Sequence, residues 1–168
     1  MFQRTKLPAG PRVISARLAG SRSVAVAAYV LAGSRLESTA EAGVAHFMEH
    51  LTFKGTGRYP SSRAISEAVE GVGGSANAAT DRESTVYWAR VPRREAARAI
   101  DVLGELVVRP RLTDADIDQY IAAFNKGDAK GVAALYTADA TRVGPDGQLL
   151  TSRAAIEKSY ADGFAGAI

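Results

Sequence analysis

Gly43-Val44-Ala45-His46-Phe47-Met48-Glu49-His50-Leu51-Thr52-Phe53-Lys54-Gly55-Thr56 is the stretch from which both the fold and the chemistry of this chain are read. The region Glu41 to Phe53 predicts a helix. On a helix His46 and His50 share one face, near enough for both rings to reach one ion. Glu49 falls between them in helical angle, so its carboxylate can approach a water on that ion without ligating it. The chain has 168 residues, two histidines and no cysteine. Disulfides, thiolate zinc sites, iron–sulfur clusters and cysteine nucleophiles are therefore excluded, and a third metal ligand must be a carboxylate. The plainer reading is two satisfied core histidines on an amphipathic helix.

Outward from this helix the periodicity changes. Arg12 to Leu18 and Arg22 to Ala32 are apolar and β-branched, separated by Ala-Gly-Ser, and predict strands paired with each other. Ser61 or Ser62, after Pro60, caps a second helix reaching about Val72, which Gly73-Gly74 ends. Ser75 to Thr80 and Ser84 to Val91 predict two more strands. Arg94 to Val108 predicts an amphipathic helix with Ala97, Ile100, Leu103, Leu106 and Val107 inward, stopped by Pro110. The order β-β-α-α-β-β-α indicates an α+β fold, an antiparallel sheet packed by helices.

Beyond Pro110 the accent shifts. Thr113 predicts an N-cap with Asp116 at the third helical position, followed by Ile117, Tyr120, Ile121 and Phe124 at i, i+3, i+4, i+7. Asp128 caps the next helix, whose buried face is Val132, Leu135 and Tyr136. Thr141 to Val143 and Gln148 to Leu150 flank a Pro145-Asp146-Gly147 turn, and Ser152 caps a last helix with Ile156 and Tyr160 inward. Residues 1–112 carry 16 Lys+Arg against 10 Asp+Glu, whereas residues 113–168 carry 5 against 8. Arg and Glu dominate the first part and Asp the second. The break predicts two pieces, residues 1–115 and 116–168.

The helix stretch, with Gly33-Ser34-Arg35-Leu36-Glu37 before it, closely resembles the pitrilysin/insulinase family of zinc peptidases. So do Val72-Gly73-Gly74-Ser75-Ala76-Asn77-Ala78-Ala79-Thr80 and Arg82-Glu83-Ser84-Thr85-Val86-Tyr87. Thr5-Lys6-Leu7-Pro8-Ala9-Gly10-Pro11-Arg12-Val13-Ile14 is similar to that family's opening strand, and the likeness runs from about residue 4 to Ile117. His-x-x-Glu-His is the inverzincin order, in which the Glu is the general base. The resemblance implies zinc as cofactor, His46 and His50 as ligands and Glu49 as catalytic base. It also implies a substrate peptide paired as an added strand along Gly74, Ser75, Ala76, Asn77 and Ala78, with Asn77 and Ala78 near the scissile bond. The small residues there would admit a close backbone.

That family takes its third ligand from a pattern of two Glu seven residues apart on a later helix. Counted from Pro110, those positions fall on Tyr120 and Gly127, and the nearest carboxylates, Asp118 and Asp128, are off register. The expectation is a truncated, impaired zinc peptidase that binds its one ion weakly. The alternative is a non-catalytic peptide-binding module or an inactive fusion product. From Asp116 onward the sequence resembles instead the opening of the SnoaL-like, ketosteroid-isomerase-like cone fold, a partial and mainly helical segment. Tyr120 occupies that fold's oxyanion-tyrosine position and Gly144 the place of its base. A small-ligand pocket around Tyr120 is the weaker alternative. A fusion of two beginnings would leave apolar faces uncovered and favour self-association.

A hydrophobic content of 46% excludes wholesale disorder, and the net charge of +3 is too mild to demand an anionic partner. The N-terminus lacks a secretory h-region, and the apolar run Val24 to Gly33 is too short for a membrane span, so the expected location is cytoplasmic with no membrane partner. Arg90, Arg93, Arg94 and Arg98 cluster at a helix start without interleaved aromatics and predict a solvated face, not a nucleic-acid surface. Arg22 reads as an ordinary strand-edge residue. The expected partner is an extended peptide substrate or another chain.

Overall fold

A computed structural model of the chain describes residues 2–38, 43–136, 142–143 and 149–165. The strands are β1 (Phe2–Lys6), β2 (Arg12–Ala16), β3 (Ser23–Val30), β4 (Ser75–Thr80), β5 (Thr85–Pro92), β6 (Arg142–Val143) and β7 (Leu149–Leu150). The helices are α1 (Val44–Thr52), α2 (Ser62–Glu70), α3 (Ala96–Val108), α4 (Asp114–Asn125), α5 (Ala129–Ala133) and α6 (Arg153–Ala165).

β5 has the strictest alternation of buried and exposed residues, and it lies at the centre of a three-stranded antiparallel sheet of order β3-β5-β4. Tyr87, Ala89 and Val91 point to the covered face, and Ala78 of β4 and the half-buried Val24, Val26, Ala28 and Val30 of β3 join them. α1, α2 and α3 pack on this sheet. The core is closed by Ile65 and Val69 of α2 and by Ala99, Val102, Leu103 and Leu106 of α3. β4 pairs with β5 on one side and is an edge strand of its sheet.

Two expectations are corrected. β2 pairs with β1, not with β3, because Pro8 to Gly10 closes a hairpin between them and Leu7 donates to the Pro11 carbonyl at 2.8 Å. β3 finds its partner in β5 along its full length. The buried stripe of α3 is Ala99, Val102, Leu103 and Leu106, whereas Ala97 and Ile100 are exposed, because the first turns of the helix meet the core through Ala99 and Val102.

The rear segment has its own small core of Val132, Tyr136, Ile156 and Tyr160, against which Tyr120, Leu150 and Phe164 pack. Its caps are as the sequence predicts. Thr113 Oγ1 accepts from the Asp116 amide at 3.2 Å, Asp128 Oδ1 from the Gly131 amide at 2.8 Å and Ser152 Oγ from the Ala155 amide at 3.2 Å. β6 and β7 pair antiparallel, and the predicted turn at 145–147 lies outside the described residues.

Candidate active site

α1 starts at Gly43, whose φ of 97° suits glycine, and the helix N-terminus is held from a distance. Both oxygens of Glu37 serve it, one accepting from the Gly43 amide at 2.7 Å and the other from the Ala45 amide at 2.7 Å. A carboxylate there offsets two orphan amides and complements the helix dipole. The helix buries Leu51, Thr52 and, against expectation for a carboxylate, Glu49.

His46 and His50 remain half-buried on the adjoining face, with their Nε2 atoms 2.9 Å apart. Metal-competent atoms of His46, Glu49 and His50 all lie within 4.8 Å of one another. Two imidazole nitrogens this close can both reach one zinc ion at roughly 2.0–2.1 Å from each. The donor set therefore fits zinc at two ligand positions. Asp118 and Asp128 do not join it: Asp118 is exposed on α4, and Asp128 is spent as the cap of α5. Among the described residues no other carboxylate or histidine belongs to such a cluster.

Glu49 is only 5% exposed, and Thr80 Oγ1 donates to its Oε2 at 2.5 Å. Burial pushes its carboxyl up to about 7, opposed by the Thr80 hydrogen bonds. Thr80 Oγ1 also lies 3.2 Å from Thr85 Oγ1, which donates to the Ala32 carbonyl at 2.8 Å. Glu49 is thus tied to the last residue of the edge strand.

On β4 itself, Ala76 and Ala78 turn inward, and Ala78 is part of the core. Ser75 and Asn77 alternate with them, and Asn77 Oδ1 accepts from the Ala78 amide at 2.8 Å. Gly74 precedes the strand. A Cβ there would lie 2.7 Å from the Arg90 carbonyl oxygen and 2.7 Å from Val91 Cγ1, so glycine is needed for packing under β5.

Tyr120 and Tyr136 come from the rear segment onto α1. Tyr120 stacks on Phe47 at 4.1 Å between ring centroids, and the buried Tyr136 ring lies 3.9 Å from that of His50. Tyr120 therefore packs against the helix beside the candidate metal site. Sequence reasoning did not find Glu37, Thr80 or Tyr136 as neighbours of this site. Glu37 and Thr80 each close a family-like motif that by itself gives them no role, and nothing local foretells that Tyr136 reaches His50.

Among the described residues no helix is long and apolar enough to cross a membrane. The sequence model of the family described as Insulinase (Peptidase family M16) matches residues 12–152. A probable mitochondrial-processing peptidase subunit beta of Arabidopsis thaliana is 38% identical over 115 residues, which is 68% of this chain and 22% of that protein. An uncharacterized zinc protease of Streptomyces coelicolor is 40% identical over 116 residues, 69% of this chain and 25% of that protein. The chain thus spans about a quarter of the length of these relatives. The crystal structure of a protease from Helicobacter pylori superposes with a TM-score of 0.67 at 24% identity, over 77% of this chain and 30% of that one.

Proposed function

The chain belongs to the insulinase family of peptidases, M16, and on that footing we propose that α1 carries a zinc-dependent centre for hydrolysing peptides docked as an added strand on β4. One juxtaposition carries the proposal. Thr80, the last residue of edge strand β4, holds the carboxylate of Glu49, so a peptide paired along β4 would run past the base. Zinc on His46 and His50 would polarise the peptide carbonyl and lower the pKa of a water. The remaining work falls to the protein. The β4 backbone binds and orients the peptide, Thr80 fixes the carboxylate, and Glu49, held near neutrality, is suited to accept a proton and return it to the leaving amine.

A catalytic zinc ordinarily has three protein ligands. With two histidines present and Asp118 and Asp128 elsewhere, the chain by itself is expected to bind zinc weakly and turn over slowly. The packing of Tyr136 on His50 favours a second reading, a peptide-binding module that keeps β4 and has lost turnover. For residues 116–168, the composition break and separate core support the SnoaL-like reading, while the family's match through residue 152 counts against it.

Metal analysis with a quenched, unstructured peptide tests the proposal. At saturating zinc one ion per chain is expected, lost in His50→Ala. Glu49→Gln should keep the metal and lose hydrolysis. Peptide binding without zinc or hydrolysis would select the second reading, and loss of all three would overturn both.

A further inference from the structure

The basic residues that sequence alone assigns to a solvated helix start and a strand edge are joined by the fold. Ser23 pairs with Pro92 and Ser75 with Arg90, so the starts of β3 and β4 lie at one end of the sheet on either side of β5. There Arg22, Arg90 and Arg94 line an open polar groove with Ser21, Ser23 and Ser75. Arg93 adjoins it, and its amide donates to the Arg22 carbonyl at 2.9 Å. The nearby carboxylate is Glu95, which Arg98 takes at 3.0 Å and Arg94 at 3.4 Å. Among the described residues Arg22, Arg90 and Arg93 form no ion pair. Of the three guanidinium groups that line the groove, Arg22 and Arg90 thus form no ion pair among the described residues and Arg94 is shared with Glu95; such a cluster is a recognition feature for a carboxylate, which guanidinium groups bind in paired hydrogen bonds.

The place of the groove decides what it would read. It adjoins Ser75, the first residue of β4, and the candidate base is held by Thr80, the last. The steps between them cover roughly 17 Å of extended chain. A peptide added antiparallel to the free edge of β4 runs from the Thr80 end towards the Ser75 end, so its C-terminal part leads to the end of the sheet where the groove lies.

We propose that Arg22, Arg90 and Arg94 form a carboxylate-reading subsite for the strand docked on β4, selecting peptides with an acidic side chain or a chain-terminal carboxylate on the C-terminal side of the bond presented to Glu49. The inference rests on the β4-docking reading and adds a substrate class to it. Because the groove is open to solvent, its selectivity is electrostatic and weakens with salt.

Fluorescence anisotropy of the full chain with short labelled extended peptides tests it, without requiring turnover. Four peptides share one body and end in Glu-amide, Ala-amide, Lys-amide or Ala with a free carboxylate. At low salt at least one carboxylate-bearing peptide should bind about fivefold tighter than Ala-amide, with Lys-amide weakest. A gain with Glu-amide alone identifies the side chain as the source, a gain with the free terminus alone identifies the terminus, and a gain with both shows a shared site. Raised salt, Arg90→Ala and the double variant Arg22→Ala/Arg94→Ala should each abolish the gain while Ala-amide affinity persists, which also shows that the variants are folded. Arg90→Glu should turn the preference towards Lys-amide. Equal affinity for acidic, neutral and basic peptides would overturn the subsite and leave β4 docking standing. Failure of every peptide to bind would overturn the docking reading and the subsite with it.

Discussion

Glu49 and Glu105 are both nearly inaccessible to solvent, yet their surroundings push them in opposite directions. Glu49 has the Thr80 hydroxyl as its side-chain donor, so burial dominates and the carboxyl rises to about 7. Glu105 accepts from Arg109 Nη1 at 2.9 Å and from the Arg58 amide at 2.9 Å, and these donors, led by the Arg109 hydrogen bond, hold it below the usual carboxylate range. In metal-free protein the raised Glu49 stabilises the fold fully below about pH 4.5, and that contribution is lost as pH rises through 7. Glu49→Gln should therefore leave stability near pH 4 almost unchanged and raise it near pH 8 by on the order of 3 kcal/mol. Glu105 works the other way, stabilising above the ordinary carboxylate pKa and losing that contribution as pH falls through its lowered one. Glu105→Gln should lower stability at neutral pH and flatten the acid limb. Chelator-treated thermal melts across pH check both, and an unchanged pH profile in either variant would refute its half. The candidate role of Glu49 is legible in sequence because its spacing to His46 and His50 is local. That of Glu105 is only partly so, because Arg109 lies one helical turn away but Arg58 reaches it from 47 residues away.

Elements show the same division between local and distant signals. The caps Thr113, Asp128 and Ser152 form as their sequence positions predict, since a cap is decided within a few residues. Strand partners are chosen over long separations, and there sequence misassigns β2 to β3 when the nearer hairpin claims it. α3 is instructive because its apolar positions outnumber those its sheet can cover. Leu106 is fully buried and Ile100 is 60% exposed, although periodicity puts both inside. Leu106→Ala should cost about 2–5 kcal/mol and Ile100→Ala about 0.5 kcal/mol or less. Denaturant midpoints at constant slope measure both. A large loss at Ile100 would restore the stripe the sequence suggests and place α3 wrongly on its sheet. The exposed Ile100 joins Phe2, Ile14 and Leu18 among apolar side chains left open to solvent, the surfaces from which the self-association proposed from sequence would arise.

At the scale of the molecule, two cores of unequal size meet at one helix. The front core joins three strands and two helices around fully buried Ala89, Ala99, Val102 and Leu106. Among the described residues the rear core has four buried members, and it touches α1 through Tyr120 on Phe47 and Tyr136 on His50. Less buried apolar surface gives a lower local opening free energy, so amide exchange in α4 to α6 should be faster than in β5 and α3. Tyr136 is the coupling residue that touches a candidate zinc ligand. Its hydroxyl is 2.8 Å from that of Tyr160 within the rear core, and its ring packs on a candidate zinc ligand. Tyr136→Phe removes the hydroxyl pair and keeps the ring, so it should speed exchange in α6 while leaving zinc affinity at His46 and His50 unchanged. Tyr136→Ala removes both, should speed exchange in α4 to α6 further, and should change zinc affinity because His50 is no longer held by the ring. The two variants read by exchange mass spectrometry and zinc titration separate the contributions. Equal zinc affinity in the wild type and Tyr136→Ala would show that the rear segment is a passenger on α1, and a shift would make it part of the metal site's support.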